Sequence, residues 1–202
     1  MLEKIKDWDT QLFLYLNGLH TPLLDGAMYW ITDRLFWVPF YLVIMLVVYR
    51  HYGLPGFWIL LAVGLSVSLA DQFTSSFMKP YFGRLRPCYN PEIQGVVHVV
   101  RGCGGQYGFA SSHASTTFAL ASSLWLFLRG RFRYVWLMFA WAALVSYSRI
   151  YVGVHYPIDL AVGGFVGFLI ALLVYLLFRL ATARAQLRIE PLRREKQEDI
   201  RS

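Results

Sequence analysis

Five long apolar runs alternate with short polar segments along this chain. A helix that crosses a hydrocarbon layer about 30 Å thick needs about 20 mainly apolar residues. Each run comes near that length, if some tilt is allowed. The runs lie at about residues 35–49, 53–78, 112–128, 134–152 and 158–178. The pattern therefore predicts an all-α integral membrane bundle of five transmembrane helices.

The N-terminal segment follows a different pattern. Leu2, Ile5 and Trp8 recur at helical spacing with charged residues between them, and a second short segment, 23–33, is similar. Such patterns are typical of amphipathic helices that lie in the membrane interface. A crossing by this segment would give six spans instead of five. The predicted division is 1–34 for the interfacial helices, 35–182 for the membrane domain and 183–202 for a charged tail.

Composition and charge agree with the membrane prediction and suggest an orientation. Hydrophobic residues make up 57% of the chain, charged residues 15%, and the net charge is +7. Basic residues concentrate in the tail and in the short connection at 129–133, which marks the cytoplasmic side. The loop at 80–110 then faces outward. No nucleic-acid motif accompanies the charge, so the predicted partner is the lipid bilayer and not nucleic acid.

Polar residues of chemical interest fall at span ends on the predicted outward side. Three are cations, and the others are serines, histidines and an aspartate: Lys79, Arg86, Arg149, Ser111, Ser112, His113, His155 and Asp159. Arginine pairs with phosphate oxygens in bidentate fashion, and a helix N-terminus offers backbone N–H groups to an anion. Two histidines can supply a nucleophile and a proton donor. The set predicts phosphoryl transfer without a metal.

The order of these residues resembles the type 2 phosphatidic acid phosphatase superfamily, which includes membrane lipid phosphatases and soluble vanadium haloperoxidases. The resemblance rests on Lys79-x6-Arg86-Pro87, then Ser111-x-His113, then Ser148-Arg149-x5-His155-x3-Asp159. It implies that His155 is the nucleophile, that Asp159 orients it, and that His113 protonates the leaving group. It also implies phosphate binding by Lys79, Arg86, Arg149, Ser111 and the backbone of Ser112, with no metal or other cofactor.

One motif departs from the family pattern. The family's second motif is usually Pro-Ser-Gly-His, whereas this chain has Ala110-Ser111-Ser112-His113. A side chain at Ser112 restricts the backbone where it approaches phosphate. The Ser112 N–H is still available to an anion, and Ser111 and His113 are retained, so the same activity is expected.

Several residues outside the motifs have simpler interpretations. Arg84 and Arg101 are expected to extend to lipid headgroups, and His20, His51 and His98 to be structural. Asp71 lies in an apolar span, where it either supports the site or packs as a simple polar residue. Cys88 and Cys103 share the outward loop, where they form a disulfide or remain free thiols.

The expected substrate is a lipid mono- or diphosphate in a bacterial inner membrane, with the active site facing the periplasm or exterior. Undecaprenyl diphosphate is the first choice. Phosphatidylglycerol phosphate, phosphatidic acid and lipid A phosphate are the alternatives, because the motifs recognise phosphate and not the tail. A haloperoxidase would be soluble, and a channel or transporter would not need two histidines, an aspartate and three cations on one face.

Overall fold

The computed structural model describes the backbone of residues 2–199 and the side chains of residues 3–183. Its regular elements within that part are all helical. They are α1 (Leu2–Asn17), α2 (Pro22–Ile31), α3 (Val38–Tyr52, after a 3₁₀ turn at Leu35–Trp37), α4 (Leu54–Gln72), α5 (Lys79–Phe82), α6 (Ser112–Leu128), α7 (Leu137–Tyr151) and α8 (Pro157–Asp199). A π-helical segment, Phe73–Met78, joins α4 to α5. The side chains of the predicted charged tail lie outside the described residues from Arg184 onward.

Helices are present at the predicted membrane spans. How many of them cross the membrane is still a prediction. Three helical stretches are long and apolar enough to cross a membrane: Leu35–Tyr52, Leu54–Phe82 and Pro157–Ala183. The other two predicted spans correspond to α6, of 17 residues, and α7, of 15 residues. The molecule is thus an all-α membrane bundle, as predicted.

Helix α6 lies at the centre of the bundle and packs against α4, α7 and most extensively α8. Two glycines of α8 allow this close approach. A Cβ atom on Gly163 would lie 2.5 Å from the backbone oxygen of Ser111, and one on Gly167 would collide with that of Ser115. Small residues spaced by four let membrane helices approach this closely. The approach brings the first turn of α8 beside the start of α6.

The two N-terminal helices pack across one end of this bundle. Helix α1 contacts α7 and α8, and α2 contacts α7. The amphipathic pattern accounts for the exposed face of α1. The buried face of this helix is partly polar, because Asp9 and Asn17 are buried there beside Phe13. The Asn17 amide donates to the carbonyl oxygen of Tyr151 at 2.8 Å, and its oxygen accepts from the His98 N–H at 2.8 Å.

The loop at 83–111 lies over the same end of the bundle. Cys88 and Cys103 are joined by a disulfide. Arg101, which was expected to extend to lipid headgroups, contacts protein side chains. It pairs with Asp33 at 2.8 Å and stacks over the Tyr29 ring at 4.8 Å, because the loop comes down beside the end of α2. His98 is structural, as its position outside the motifs suggested: it stacks on His20 with ring centroids 3.7 Å apart and bonds to Asp25.

Candidate active site

All eight predicted site residues lie at the end of the bundle that α1, α2 and the loop cover. Lys79 follows the π-helical segment, and such segments are frequent at functional sites. Ser111 caps the N-terminus of α6, where its hydroxyl accepts from the Ala114 N–H at 3.4 Å. Arg149 lies in the last turn of α7, and Asp159 lies in the first turn of α8. Helix ends therefore bring together residues that are far apart in sequence.

His155 and Asp159 form a buried pair at the α7–α8 turn. His155 Nδ1 lies 3.3 Å from Asp159 Oδ2, and the backbone N–H of Tyr156 donates to the same oxygen at 3.1 Å. The turn needs a glycine at Gly153, which has φ +80° and where a Cβ atom would lie 2.6 Å from the His98 backbone oxygen. The loop's Gly108 covers the pair, because its Cβ position is only 3.2 Å from Asp159 Oδ2.

The neighbours of His155 determine which of its nitrogens carries the hydrogen. Arg86 Nη1 lies 3.4 Å from His155 Nε2. A guanidinium donates hydrogen bonds and cannot accept them, so Nε2 faces it with a lone pair. Nδ1 then carries the hydrogen and donates it to Asp159. This tautomer leaves Nε2 as the nitrogen able to attack phosphorus.

Burial keeps His155 in this neutral form. Its side chain is buried, and removal from water, followed by the charges of Arg86 and Arg149, lowers the pKa of His155 well below its usual value. A neutral imidazole with a free lone pair is the form required of a nucleophile.

The three motif cations have different surroundings. Lys79 Nζ donates to Ser112 Oγ at 2.6 Å, and Ser112 Oγ also lies 2.8 Å from Ser75 Oγ. The side chain that departs from the family pattern therefore holds Lys79. Arg149 donates to the Thr32 hydroxyl. The Nε atoms of Arg86 and Arg149 are buried without a hydrogen-bond partner among the described residues, and an anion would supply acceptors for both.

Two cavities meet at His113. One, of about 370 Å³, is polar, and its lining includes His113, Arg149, Arg34 and Arg101. The other, of about 510 Å³, runs between α3, α4, α6 and α7 among residues such as Tyr41, Met45, Leu60 and Trp141. Asp71 lines this second cavity, where its carboxylate accepts from the Ser75 hydroxyl at 3.4 Å. A polar head and an apolar tail can thus occupy neighbouring spaces that share His113 in their linings.

Several site contacts come from residues that the motifs did not indicate. Arg84 was predicted to extend to headgroups, and this prediction was wrong. It bridges the two buried carboxylates of Asp9 and Asp159, at 2.6 and 2.9 Å. Thr32 and Arg34 also lie at the site. A possible signal for Arg84 was its position two residues before Arg86, but Asp9 and Thr32 carried no signal, because their partners lie far along the chain.

The fold and the site together define a membrane enzyme that binds and transfers phosphate. The family model described as the PAP2 superfamily matches residues 55–183, and the chain belongs to that superfamily. It is a PAP2-type membrane lipid phosphatase, as the motifs predicted.

Similar proteins include two lipid A 4′-phosphatases and a solved membrane structure. The chain is 38% identical to the lipid A 4′-phosphatase of Bacteroides thetaiotaomicron over 92% of its length and 84% of that protein. It is also 38% identical to the Porphyromonas gingivalis lipid A 4′-phosphatase, over 91% of its length and 78% of that protein. The crystal structure of Aquifex aeolicus LpxE superposes with a TM-score of 0.59 at 25% identity, covering 82% of this chain and 93% of the other.

The same comparison bears on the predicted substrate. The undecaprenyl-diphosphatase of Sulfolobus acidocaldarius is 24% identical over 79% of this chain and 73% of that protein. The preference for undecaprenyl diphosphate is therefore less well supported than the lipid A alternative. The motifs could not separate the two substrates, because the motif residues are expected to recognise phosphate, which both substrates carry.

Proposed function

We propose that this protein removes a phosphate from lipid A, or from a closely related acylated and phosphorylated sugar, through a phosphohistidine at His155. The main observation behind this proposal is that His155 lies between Asp159 and Arg86 and contacts both. This arrangement leaves Nε2 of His155 with a lone pair beside a guanidinium. The lipid A 4′-phosphatases at 38% identity support this choice of substrate.

The first chemical step is transfer of the phosphoryl group to the protein. Nε2 of His155 attacks phosphorus, a P–N bond forms, and the bond from phosphorus to the sugar oxygen breaks. His113, which lines both cavities, donates a proton to that leaving oxygen. Asp159 balances the positive charge that develops on the imidazole. Lys79, Arg86 and Arg149 stabilise the charge on the phosphoryl oxygens.

The second step is hydrolysis of the P–N bond. His113 is now unprotonated and accepts a proton from water, whose oxygen attacks phosphorus and releases inorganic phosphate. His155 returns to its neutral tautomer with Nδ1–H on Asp159. Each step uses groups of this chain, and the phosphate carries the charge that the cations match.

The two cavities support a lipid substrate with a large polar head. The polar cavity offers Arg34, Arg101 and Arg149 to a phosphorylated sugar, and the apolar cavity extends from His113 into the bundle. Undecaprenyl diphosphate is the second candidate, on the likeness to the Sulfolobus enzyme. Its head is a diphosphate without a sugar, so it would fill less of the polar cavity than a phosphorylated sugar does.

We further propose that the site faces the periplasm or exterior of a bacterial inner membrane. The exposed arginines Arg129, Arg131 and Arg133 lie at the opposite end of the bundle, and basic residues favour the cytoplasmic side. An impermeant maleimide applied to intact cells should label Gln106→Cys in the loop, and should label Arg131→Cys only after permeabilisation. The reverse pattern would invert the orientation.

The function is tested by phosphate release from purified protein in detergent with EDTA present. Wild type, His155→Ala and His51→Gln would be given lipid A, undecaprenyl diphosphate, phosphatidylglycerol phosphate and phosphatidic acid. We expect the fastest release from lipid A, a loss of about 10³-fold or more in His155→Ala, and little change in His51→Gln. Undiminished release by His155→Ala would exclude it as the nucleophile. Faster release from another lipid would replace lipid A as the substrate.

A further inference from the structure

Arg84 joins two buried carboxylates that belong to different layers of the molecule. Its Nη1 donates to Asp159 Oδ1 at 2.9 Å, and its Nη2 donates to Asp9 Oδ2 at 2.6 Å. Both carboxylate side chains have no solvent exposure. Buried charges are stable only when they are paired and hydrogen-bonded. Arg84 is therefore a required partner for both aspartates.

The contact with Arg84 completes the surroundings of Asp159. One carboxylate oxygen, Oδ2, already faces His155 Nδ1 and the Tyr156 N–H. The other, Oδ1, is held by Arg84. With both oxygens fixed, the carboxylate cannot rotate away from the imidazole. The direction of the His155 ring therefore depends on Arg84.

Arg84 is not placed to bind phosphate itself. Both of its terminal nitrogens are engaged by carboxylates, and its guanidinium lies 4.1 Å above the centre of the Tyr156 ring. This distinguishes Arg84 from Arg86, which contacts His155 directly.

Asp9 extends the network to the N-terminal helix. Besides Arg84, it accepts from the backbone N–H of Ile158 at 2.9 Å, in the first turn of α8. Asp9 thus fixes α1 to α8, the helix that carries Asp159. It also holds the guanidinium nitrogen of Arg84 that does not contact Asp159. The PAP2 family match begins at residue 55, so Asp9 lies outside the matched region.

We propose that Arg84 and Asp9 are positioning residues, through which helix α1 holds Asp159, and hence His155, in the orientation for attack. This proposal rests on the proposed role of His155 as nucleophile. Amphipathic patterning describes α1 only as an interfacial helix. The proposed network gives this helix a direct effect on the rate of phosphoryl transfer.

The test compares Arg84→Met, Arg84→Lys, Asp9→Asn and the control Asp7→Asn, which changes an exposed carboxylate of the same helix. Each variant is purified in detergent, and kcat, KM and inhibition by inorganic phosphate are measured with lipid A. We expect kcat to fall about 10- to 100-fold in Arg84→Met, with KM and phosphate inhibition nearly unchanged. Arg84→Lys should recover part of the rate, because an ammonium can reach one carboxylate at a time.

A second measurement separates positioning from folding. Added guanidinium ion at millimolar concentration should raise kcat of Arg84→Met and leave kcat of wild type unchanged. Asp9→Asn should lower kcat less than Arg84→Met does. The double variant, Asp9→Asn with Arg84→Met, should have a kcat close to that of Arg84→Met alone, because both changes break the same network. Asp7→Asn should behave as wild type.

The outcomes distinguish this proposal from the proposed function. An active wild type whose Arg84 and Asp9 variants keep full kcat would overturn the positioning role and leave the function intact. A rise in KM and in the phosphate inhibition constant, with kcat retained, would make Arg84 a phosphate ligand instead. Variants that lose kcat without recovery by lysine or guanidinium would also overturn it. An inactive wild type would overturn the function and the positioning role together.

Discussion

The two ends of the helical bundle both carry arginines, but they use them differently. At the site end Arg86 is buried, and Arg84 is held between two carboxylates that have no solvent exposure. At the opposite end Arg129, Arg131 and Arg133 are exposed, and Arg129 stacks over Trp125 at 4.6 Å. A buried guanidinium must have partners, whereas an exposed one is satisfied by water. Arg84 and Arg86 are therefore held in place by their partners, whereas Arg129, Arg131 and Arg133 are exposed, as the predicted cytoplasmic side would require.

The same contrast holds for histidines. His155 at the site end is buried against Asp159 and Arg86. His51 at the opposite end is exposed, contacts its own helix through the Val47 backbone oxygen, and packs on Phe132 at 5.0 Å. Matched changes at the two ends therefore separate chemistry from general effects on the membrane fold.

After His155, the largest effect is expected from His113, the proposed proton donor. His113→Gln should lower kcat about 10²- to 10⁴-fold, because the leaving oxygen would depart without a proton. His51→Gln should leave kcat unchanged. The check uses two substrates that differ in leaving group: an aryl phosphate, whose leaving group needs no proton, should be affected much less than lipid A. Equal losses on both substrates would contradict the proton-donor role.

A somewhat smaller effect is expected for the phosphate-binding cation of α7. Arg149→Met should lower kcat/KM about 10²- to 10³-fold, because it removes charge stabilisation of the phosphoryl oxygens and breaks the contact with Thr32. Arg131→Met at the other end should change kcat/KM little. Inhibition by inorganic phosphate is the second readout, and it should weaken in Arg149→Met. Unchanged phosphate inhibition would argue against direct contact with the anion.

Removing the disulfide should affect stability more than chemistry. Cys88 and Cys103 are separated by 15 positions, and a crosslink over such a loop stabilises by about 3 kcal/mol. The double change to serine should lower the melting temperature in detergent, and reductant should then have no further effect. A double-serine variant that melts like oxidised wild type would show that the loop is held by other contacts, such as Asn17 with His98.

A pH effect on stability is the subtlest expectation. Burial lowers the pKa of His155 in the folded protein, so the unfolded chain takes up a proton there before the folded protein does. Wild type should therefore lose stability as pH falls below about 6.5, the unfolded value. His155→Gln lacks this contribution. As the pH is lowered from 7.5 to 5, the melting temperature of wild type should approach that of His155→Gln or fall below it. A difference independent of pH would contradict the buried neutral histidine.

The N-terminal helices and α6 show how far sequence reasoning reaches. Their helical character follows from local periodicity, and the start of α6 from Ser111, a residue type that caps helices. The motif residues were identified by order alone, before any distance was known. Arg84 was assigned to the headgroup region because a single interfacial arginine usually extends there. Its partners Asp9 and Asp159 each lie 75 residues away, and no local pattern records those contacts.

An all-helical membrane protein, its membership in a phosphatase superfamily, and candidate residues for phosphate binding and proton transfer can all be predicted from the sequence. These follow from helical periodicity, apolar length and the fixed order of chemical groups, which are all local in the chain. The tertiary structure was needed to show that α1 supplies Asp9 to Arg84, that Thr32 contacts Arg149 over 117 residues, and that Arg86 faces His155 Nε2. Burial creates these pairings, because a charge removed from water must find its partner wherever the fold brings one.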